Sequence, residues 1–217
     1  MEILGKRRSD WLLLIAIVCG ALGWTFTMVG SVVTEGHLAA IDGDIRRYFI
    51  THRSGPATTF FTAISMLGSK PFIVIVAAVV GFLISKRSKL LVVLVALCGL
   101  VSAEFVDVLK ESFGVARPPD PEGTSRSLSF PSGHVTGTSA MGTLLSYVAW
   151  RRKVAIALVV PASLLMIVLM ALSRIYLDRH WASDTLGGVL IGATVGLTCA
   201  AVYEWLANPE QREPSPS

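Results

Sequence analysis

The sequence predicts an all-α protein, a six-transmembrane helical bundle with its unusual polar residues gathered at one end. Three observations carry that expectation. Of 217 residues, 53% are hydrophobic and only 16% are charged, against about a quarter charged in ordinary soluble domains. Six apolar runs approach the ~20 residues that cross a hydrocarbon core. The Lys and Arg residues stand in short clusters between those runs, which is how membrane topology is written. The net charge of +4 and pI of about 9.1 therefore give no reason to expect nucleic acid as a partner. A 23.2 kDa chain supports one compact unit.

The runs follow in order. The first spans Trp11 to Val33, after Lys6, Arg7 and Arg8. It is too long for a signal core and lacks a small-residue cleavage site, so it reads as a retained span. The second runs from Ala57 to Ile84 and the third from Leu90 to Ser112. After a polar loop come Gly133 to Trp150, Val154 to Arg174, and Ser183 to Leu206. Basic clusters at Lys6–Arg8, Lys86–Lys89 and Arg151–Lys153 all fall on one side of such a bundle, the cytoplasmic side by the positive-inside rule. Both termini are then cytoplasmic. The organisation is an N-terminal span and interfacial segment (1–56), a core (57–206) and a polar, proline-rich, disordered tail (207–217). Between the first two spans, Leu38, Ile41, Ile45, Tyr48 and Phe49 recur at helical spacing among charges. An interfacial helix and a packed loop helix both satisfy that pattern.

This topology brings three polar segments to the outer side. Lys110 ends the third span, with Arg117 and Pro118 beyond it. Pro131-Ser132-Gly133-His134 opens the fourth. Ser173-Arg174, His180 and Asp184 join the fifth to the sixth. Lys110, Arg117 and Arg174 suit a doubly charged phosphate monoester. The helix opening at Gly133 presents free backbone N–H groups and a positive dipole end, and Ser132 adds a hydroxyl. His180 and Asp184 share one face of a helical turn. The carboxylate can fix the imidazole tautomer and leave the other ring nitrogen free to attack, while His134 serves as general acid. The four histidines form no HExxH pair and no Cys/His cluster, so no metal is expected.

The three segments resemble the tripartite signature of the type 2 phosphatidic acid phosphatase superfamily, which also contains bacterial acid phosphatases and vanadium-dependent haloperoxidases. Lys110, Arg117 and Pro118 match its first motif, Pro131 to His134 its second, and Ser173, Arg174, His180 and Asp184 its third, with no departure at any motif position. The resemblance implies a six-span lipid phosphate phosphatase in the inner (plasma) membrane, with an extracytoplasmic active site. It implies a phosphohistidine at His180, oriented by Asp184. His134 protonates the leaving oxygen, and Lys110, Arg117, Ser132, Gly133 and Arg174 hold the phosphoryl oxygens. No cofactor is implied. The implied substrates are undecaprenyl diphosphate, phosphatidic acid, phosphatidylglycerophosphate and related lipids, undecaprenyl diphosphate foremost. A lipid phosphotransferase and a non-catalytic lipid-binding or transport protein are the alternatives.

Other polar residues read more plainly. Glu104 and Asp107 are expected to pair with Lys110 or nearby polar groups, and Lys70 to snorkel or pair, the alternative being contact with a substrate head group. Gly188, Gly192 and Gly196 form a small-residue stripe for close packing inside the bundle, or else a homodimer face. Cys19, Cys98 and Cys199 read as small packed side chains.

Overall fold

The computed structural model describes residues 8–69, 72, 89–119 and 127–207. They form α1 (Arg8–Thr34), α2 (Ala39–Thr51), α3 (Gly55–Leu67), α4 (Lys89–Phe113), α5 (Gly133–Arg152), α6 (Ile156–Tyr176) and α7 (Ala182–Ala207), with no strand among the described residues. Among the described residues, three helical stretches are long and apolar enough to cross a membrane: Asp10–Thr34, Ile156–Tyr176 and Ala182–Leu206. Helices α4 and α5 have 25 and 20 residues, enough length at 1.5 Å per residue, and of the two α5 carries the more polar sequence. For α5 the reason is position. It packs against α4, α6 and α7, so its buried Thr136 and Ser139 face protein rather than lipid, and the Ser139 hydroxyl donates to the Val189 carbonyl at 3.0 Å.

Glycine sets the spacing of the central pair. A side chain at Gly192 would run into the Thr136 carbonyl and stand 2.7 Å from Ser139 Cβ; at Gly196 it would stand 2.5 Å from the Ala140 carbonyl. The glycine stripe is thus occupied by α5 within the chain, and any second copy would have to use another face. Below it, Leu94, Val95, Cys98, Leu144, Val148, Val195 and Tyr203 form one apolar core. Cys98 is buried there, while Cys19 and Cys199 are half-buried. Near the opposite end Phe130 is fully buried, stacked on Phe26 at 5.5 Å and edge-on to Phe113 at 5.0 Å. Arg151 ties the end of α5 to the buried Glu204 of α7 at 2.7 Å.

Of the expected run from Ala57 to Ile84, the structure describes residues 57–69 and Phe72. Helix α3 ends at Leu67, where the Gly68 N–H turns back to the Ser65 and Met66 carbonyls. Lys70-Pro71 follows in the sequence, and proline both lacks an N–H and disfavours a helical residue before it. Lys70 and the rest of that run, Phe72 excepted, lie outside the described residues. So do Lys6, Arg7, Lys86, Arg87 and the tail from 208 onward. Glu104 and Asp107 are exposed on α4.

Helix α2 packs through one face and exposes the other. Ile41 and Tyr48 are exposed, while Asp42 is buried at 7% against the start of α7. Arg46 grips Asp178, in the α6–α7 turn, with two bonds of 2.7 and 2.8 Å. Asp178 sits in the left-handed region at φ 57°, and this two-pronged contact holds it there.

Replacing Gly192 by leucine is expected to destabilise the bundle by about 2 kcal/mol or more through forced separation of α5 and α7. Thermal unfolding in detergent measures this; an unchanged midpoint would contradict the packing.

Candidate active site

The site forms where the first turns of α5 and α7 meet. The Ser132 N–H donates to the Asp184 carbonyl at 3.0 Å. Gly188 permits the approach, since a Cβ there would stand 2.9 Å from the Ser132 carbonyl. Ser132 is extended and precedes α5 as its N-cap, yet its side chain makes no capping bond. The Lys110 end of α4 is fixed by Gly114, in the left-handed region at φ +64°, whose N–H returns to the Lys110 carbonyl at 2.9 Å. That turn leads the chain to Arg117, whose Nη1 donates to the Arg179 carbonyl at 2.6 Å. The Trp181 indole N–H donates to the Ala116 carbonyl at 2.8 Å. All three sequence segments are therefore bonded to one another.

At the centre, His180 Nδ1 lies 3.2 Å from Asp184 Oδ2. On its other side, His180 Nε2 lies 3.4 Å from Arg117 Nη1. A guanidinium can only donate, so Nε2 is the acceptor there and the ring proton sits on Nδ1, facing the carboxylate. The free lone pair thus points toward the cations. His180 is 3% exposed. Burial, then the positive charges of Arg117, Arg174 and Lys110, push its pKa well below the ordinary histidine range, so the ring is neutral at pH 7.

The cations are differently held. Arg174 is buried, its Nη1 donating to the Ser65 hydroxyl at 2.6 Å, while its Nε has no hydrogen-bond partner among the described residues. The Ser132 hydroxyl, also fully buried, has none either. Buried polar atoms without partners cost free energy unless something else satisfies them. These two atoms are donors suited to an anion, while a third buried atom without a partner among the described residues, Asp184 Oδ1, is an acceptor. Lys110, in the last turn of α4, lies within electrostatic reach of His180, and Gly133 supplies the first backbone amide of α5. His134 is half-buried on the next residue, within reach of the charges on Arg174, Lys110 and Arg117. The end of α3 packs on it, since a Cβ at Gly68 would stand 3.3 Å from His134 Cδ2. Ser173 differs: its hydroxyl bonds back to the Met170 carbonyl at 3.0 Å and serves its own helix.

Four supporting residues carry no signal in the motif spacing. The Ser129 hydroxyl donates to Asp184 Oδ2, and its carbonyl also engages His180. Ser65 holds Arg174. Asp42 caps α7, accepting from the Ser183 N–H at 3.0 Å and the Ser183 hydroxyl at 2.5 Å. Arg46 restrains the turn that carries His180. Their partners lie up to 141 residues away, so no local pattern marks them.

A depressed His180 pKa has a stability consequence. Below about pH 6.5 the unfolded chain protonates this histidine while the folded protein does not, so stability falls with pH through that range. Melting temperatures in detergent are expected to drop less steeply from about pH 7 to pH 5 in His180→Asn than in the parent. Equal slopes would contradict a neutral buried ring.

Comparison with known proteins supplies the lineage. A decaprenylphosphoryl-5-phosphoribose phosphatase of Mycobacterium tuberculosis (strain H37Rv) is 37% identical over 89 residues, 41% of this chain and 43% of its own length. A lipid A 1-phosphatase of Porphyromonas gingivalis is 36% identical over 112 residues, 51% of this chain and 22% of its own. The chain thus spans less than half the length of these curated relatives. The crystal structure of a transmembrane PAP2 type phosphatidylglycerolphosphate phosphatase from Bacillus subtilis superposes with a TM-score of 0.78 at 22% identity, over 87% of this chain and 96% of that one. The model of the PAP2 superfamily matches residues 88–207, more than half of the sequence and all three segments of the site, and the chain belongs to that superfamily.

Proposed function

We propose that this protein is an integral membrane phosphatase that hydrolyses a lipid phosphate or diphosphate through a phosphohistidine at His180. One observation carries the reading. The unprotonated Nε2 of a neutral, buried histidine points toward Arg117, while Arg174 Nε and Ser132 Oγ stand buried without partners among the described residues. A phosphoryl group satisfies all of them at once.

The proposed sequence of steps follows from these positions. His180 Nε2 attacks phosphorus and the bond to the lipid oxygen breaks. His134 gives its proton to that oxygen. Water then attacks the phosphohistidine and gives a proton to His134, and inorganic phosphate leaves with His180 restored. Asp184 holds the Nδ1 proton and offsets the positive charge of the phosphorylated ring. Lys110, Arg117, Arg174, Ser132 and the Gly133 amide stabilise charge on the phosphoryl oxygens.

The proposed placement is six spans, with α4 and α5 crossing inside the bundle and the site at the extracytoplasmic face of the inner (plasma) membrane. Both termini are then cytoplasmic. The basic clusters flanking the runs support this orientation. A lipid leaving group fits a site at the end of apolar helices, and the relatives named above act on lipid-linked phosphates. Undecaprenyl diphosphate heads the proposed substrates, ahead of phosphatidic acid and phosphatidylglycerophosphate. A panel of these lipids, assayed for inorganic phosphate, ranks them; no release from any member would refute the phosphatase.

His180→Ala is expected to lower phosphate release at least about a thousandfold while the protein elutes normally in detergent. Ser129→Ala should lower kcat about tenfold to a hundredfold, the cost of one hydrogen bond to a buried charge, with KM little changed. Turnover retained in His180→Ala would remove the nucleophile. Separately, excess EDTA should leave activity intact, since no step calls on a metal; strict dependence on added magnesium would contradict the mechanism.

A further inference from the structure

Arg46 stands on α2, outside the three signature segments, yet it touches two of them. Its Nε and Nη2 grip the Asp178 carboxylate at 2.7 and 2.8 Å, two residues before His180 in the chain. The same Nη2 donates to the Pro119 carbonyl at 3.3 Å, two residues after Arg117. One guanidinium therefore joins the turn that presents the histidine to the loop that presents its neighbouring cation. Those two side chains meet at 3.4 Å, His180 Nε2 facing Arg117 Nη1. One helical turn earlier on α2, Asp42 holds Ser183 by two bonds of 3.0 and 2.5 Å. His180 thus lies between two points held by the same helix.

The turn itself explains why an outside grip is needed. Asp178 has φ 57°, a left-handed conformation that costs an L-residue free energy and that glycine adopts freely. It closes the end of α6, with the Asp178 N–H returning to the Ile175 carbonyl and the Arg179 N–H to the Arg174 carbonyl, both at 3.0 Å. Glycine commonly fills such a cap. With aspartate there instead, the planar fork of Arg46 supplies what the backbone lacks. The pair is partly shielded, with side chains 28% and 13% exposed, so salt screens it less than an open surface pair.

We propose that Arg46 is a positioning residue for catalysis, which aims His180 Nε2 relative to Arg117 by fixing Asp178 and Pro119 to one another. The inference rests on the phosphatase reading, in which His180 attacks phosphorus. Arg46 touches no reacting atom; its effect passes through the backbone of the two segments it joins. In-line attack is sensitive to small misplacements of the nucleophile, so loosening this clasp acts on kcat more than on KM.

The test compares kcat and KM for phosphate release from one lipid phosphate, normalised to folded protein in detergent. Arg46→Ala is expected to lower kcat about tenfold and to change KM by less than about threefold. Arg46→Lys keeps the charge but not the fork, and should lose nearly as much. Asp178→Ala should match Arg46→Ala. Asp178→Gly removes the same carboxylate, yet its turn forms unaided, so kcat should stay within about threefold of the parent. On that glycine background, Arg46→Ala should cost less than about threefold. Arg47→Ala, at the exposed neighbour paired with Asp44, should follow the parent. Parent-like kcat in Arg46→Ala, or equal losses in Asp178→Ala and Asp178→Gly, overturns the positioning role while the phosphatase stands. Absence of phosphate release from the parent protein instead overturns the phosphatase, and the role with it.

Discussion

One carboxylate oxygen organises this end of the molecule. Asp184 Oδ2 accepts from the Ser129 hydroxyl, the Trp181 N–H at 2.8 Å and the Nδ1 proton of His180. The backbone carbonyl of the same residue accepts the Ser132 N–H. A single residue in the first turn of α7 thus fixes a ring tautomer, the loop before α5 and the start of its own helix. Asp184 is wholly buried, and at low effective dielectric such bonds are strong when complete and expensive when broken. Every other placement at the site follows from that anchor.

The cations show the complementary strategy. Arg117 is hydrogen-bonded to the neutral oxygens of Ser127 and Arg179, with the Asp184 carboxylate within electrostatic reach. Arg174 spends one nitrogen on Ser65 and keeps another uncommitted. Neutral oxygens orient the guanidinium groups and leave their charge for a ligand, whereas an acidic partner would have quenched it. Asp178, one step back in the turn that presents His180, pairs instead with Arg46 and Arg53.

Much of this was legible in the chain itself. The runs from Trp11 to Val33 and from Ser183 to Leu206 reappear as helices with ends within a few residues, because long uniform apolarity has one local solution. His180 and Asp184 were legible as a pair by their four-residue spacing, although the expected helical turn is not what joins them: His180 lies in the turn before α7, and Asp184 reaches back to it from the helix's first turn. The break after Leu67 was harder to see: a glycine and a proline within an otherwise apolar stretch left the running hydropathy almost unchanged. Ser129, Ser65 and Asp42 were invisible for another reason. Each acts on a partner distant in sequence, and serine or aspartate in a loop or first helical turn has many innocent uses. The polar character of α5 belongs here too, since only its central position in the bundle excuses it.

The family match begins at residue 88, yet Ser65 and Asp42 lie upstream of it. Helix α2 caps the helix that carries Asp184, and α3 steadies the guanidinium of Arg174 and leans on His134. The segment that looks generic by motif is therefore part of the machinery's frame. Chimeras that graft the three motifs of one relative onto the leading helices of another would preserve every signature residue and still loosen the fittings behind them. The two halves of the chain are joined through a handful of hydrogen bonds that lie outside every signature residue's own segment.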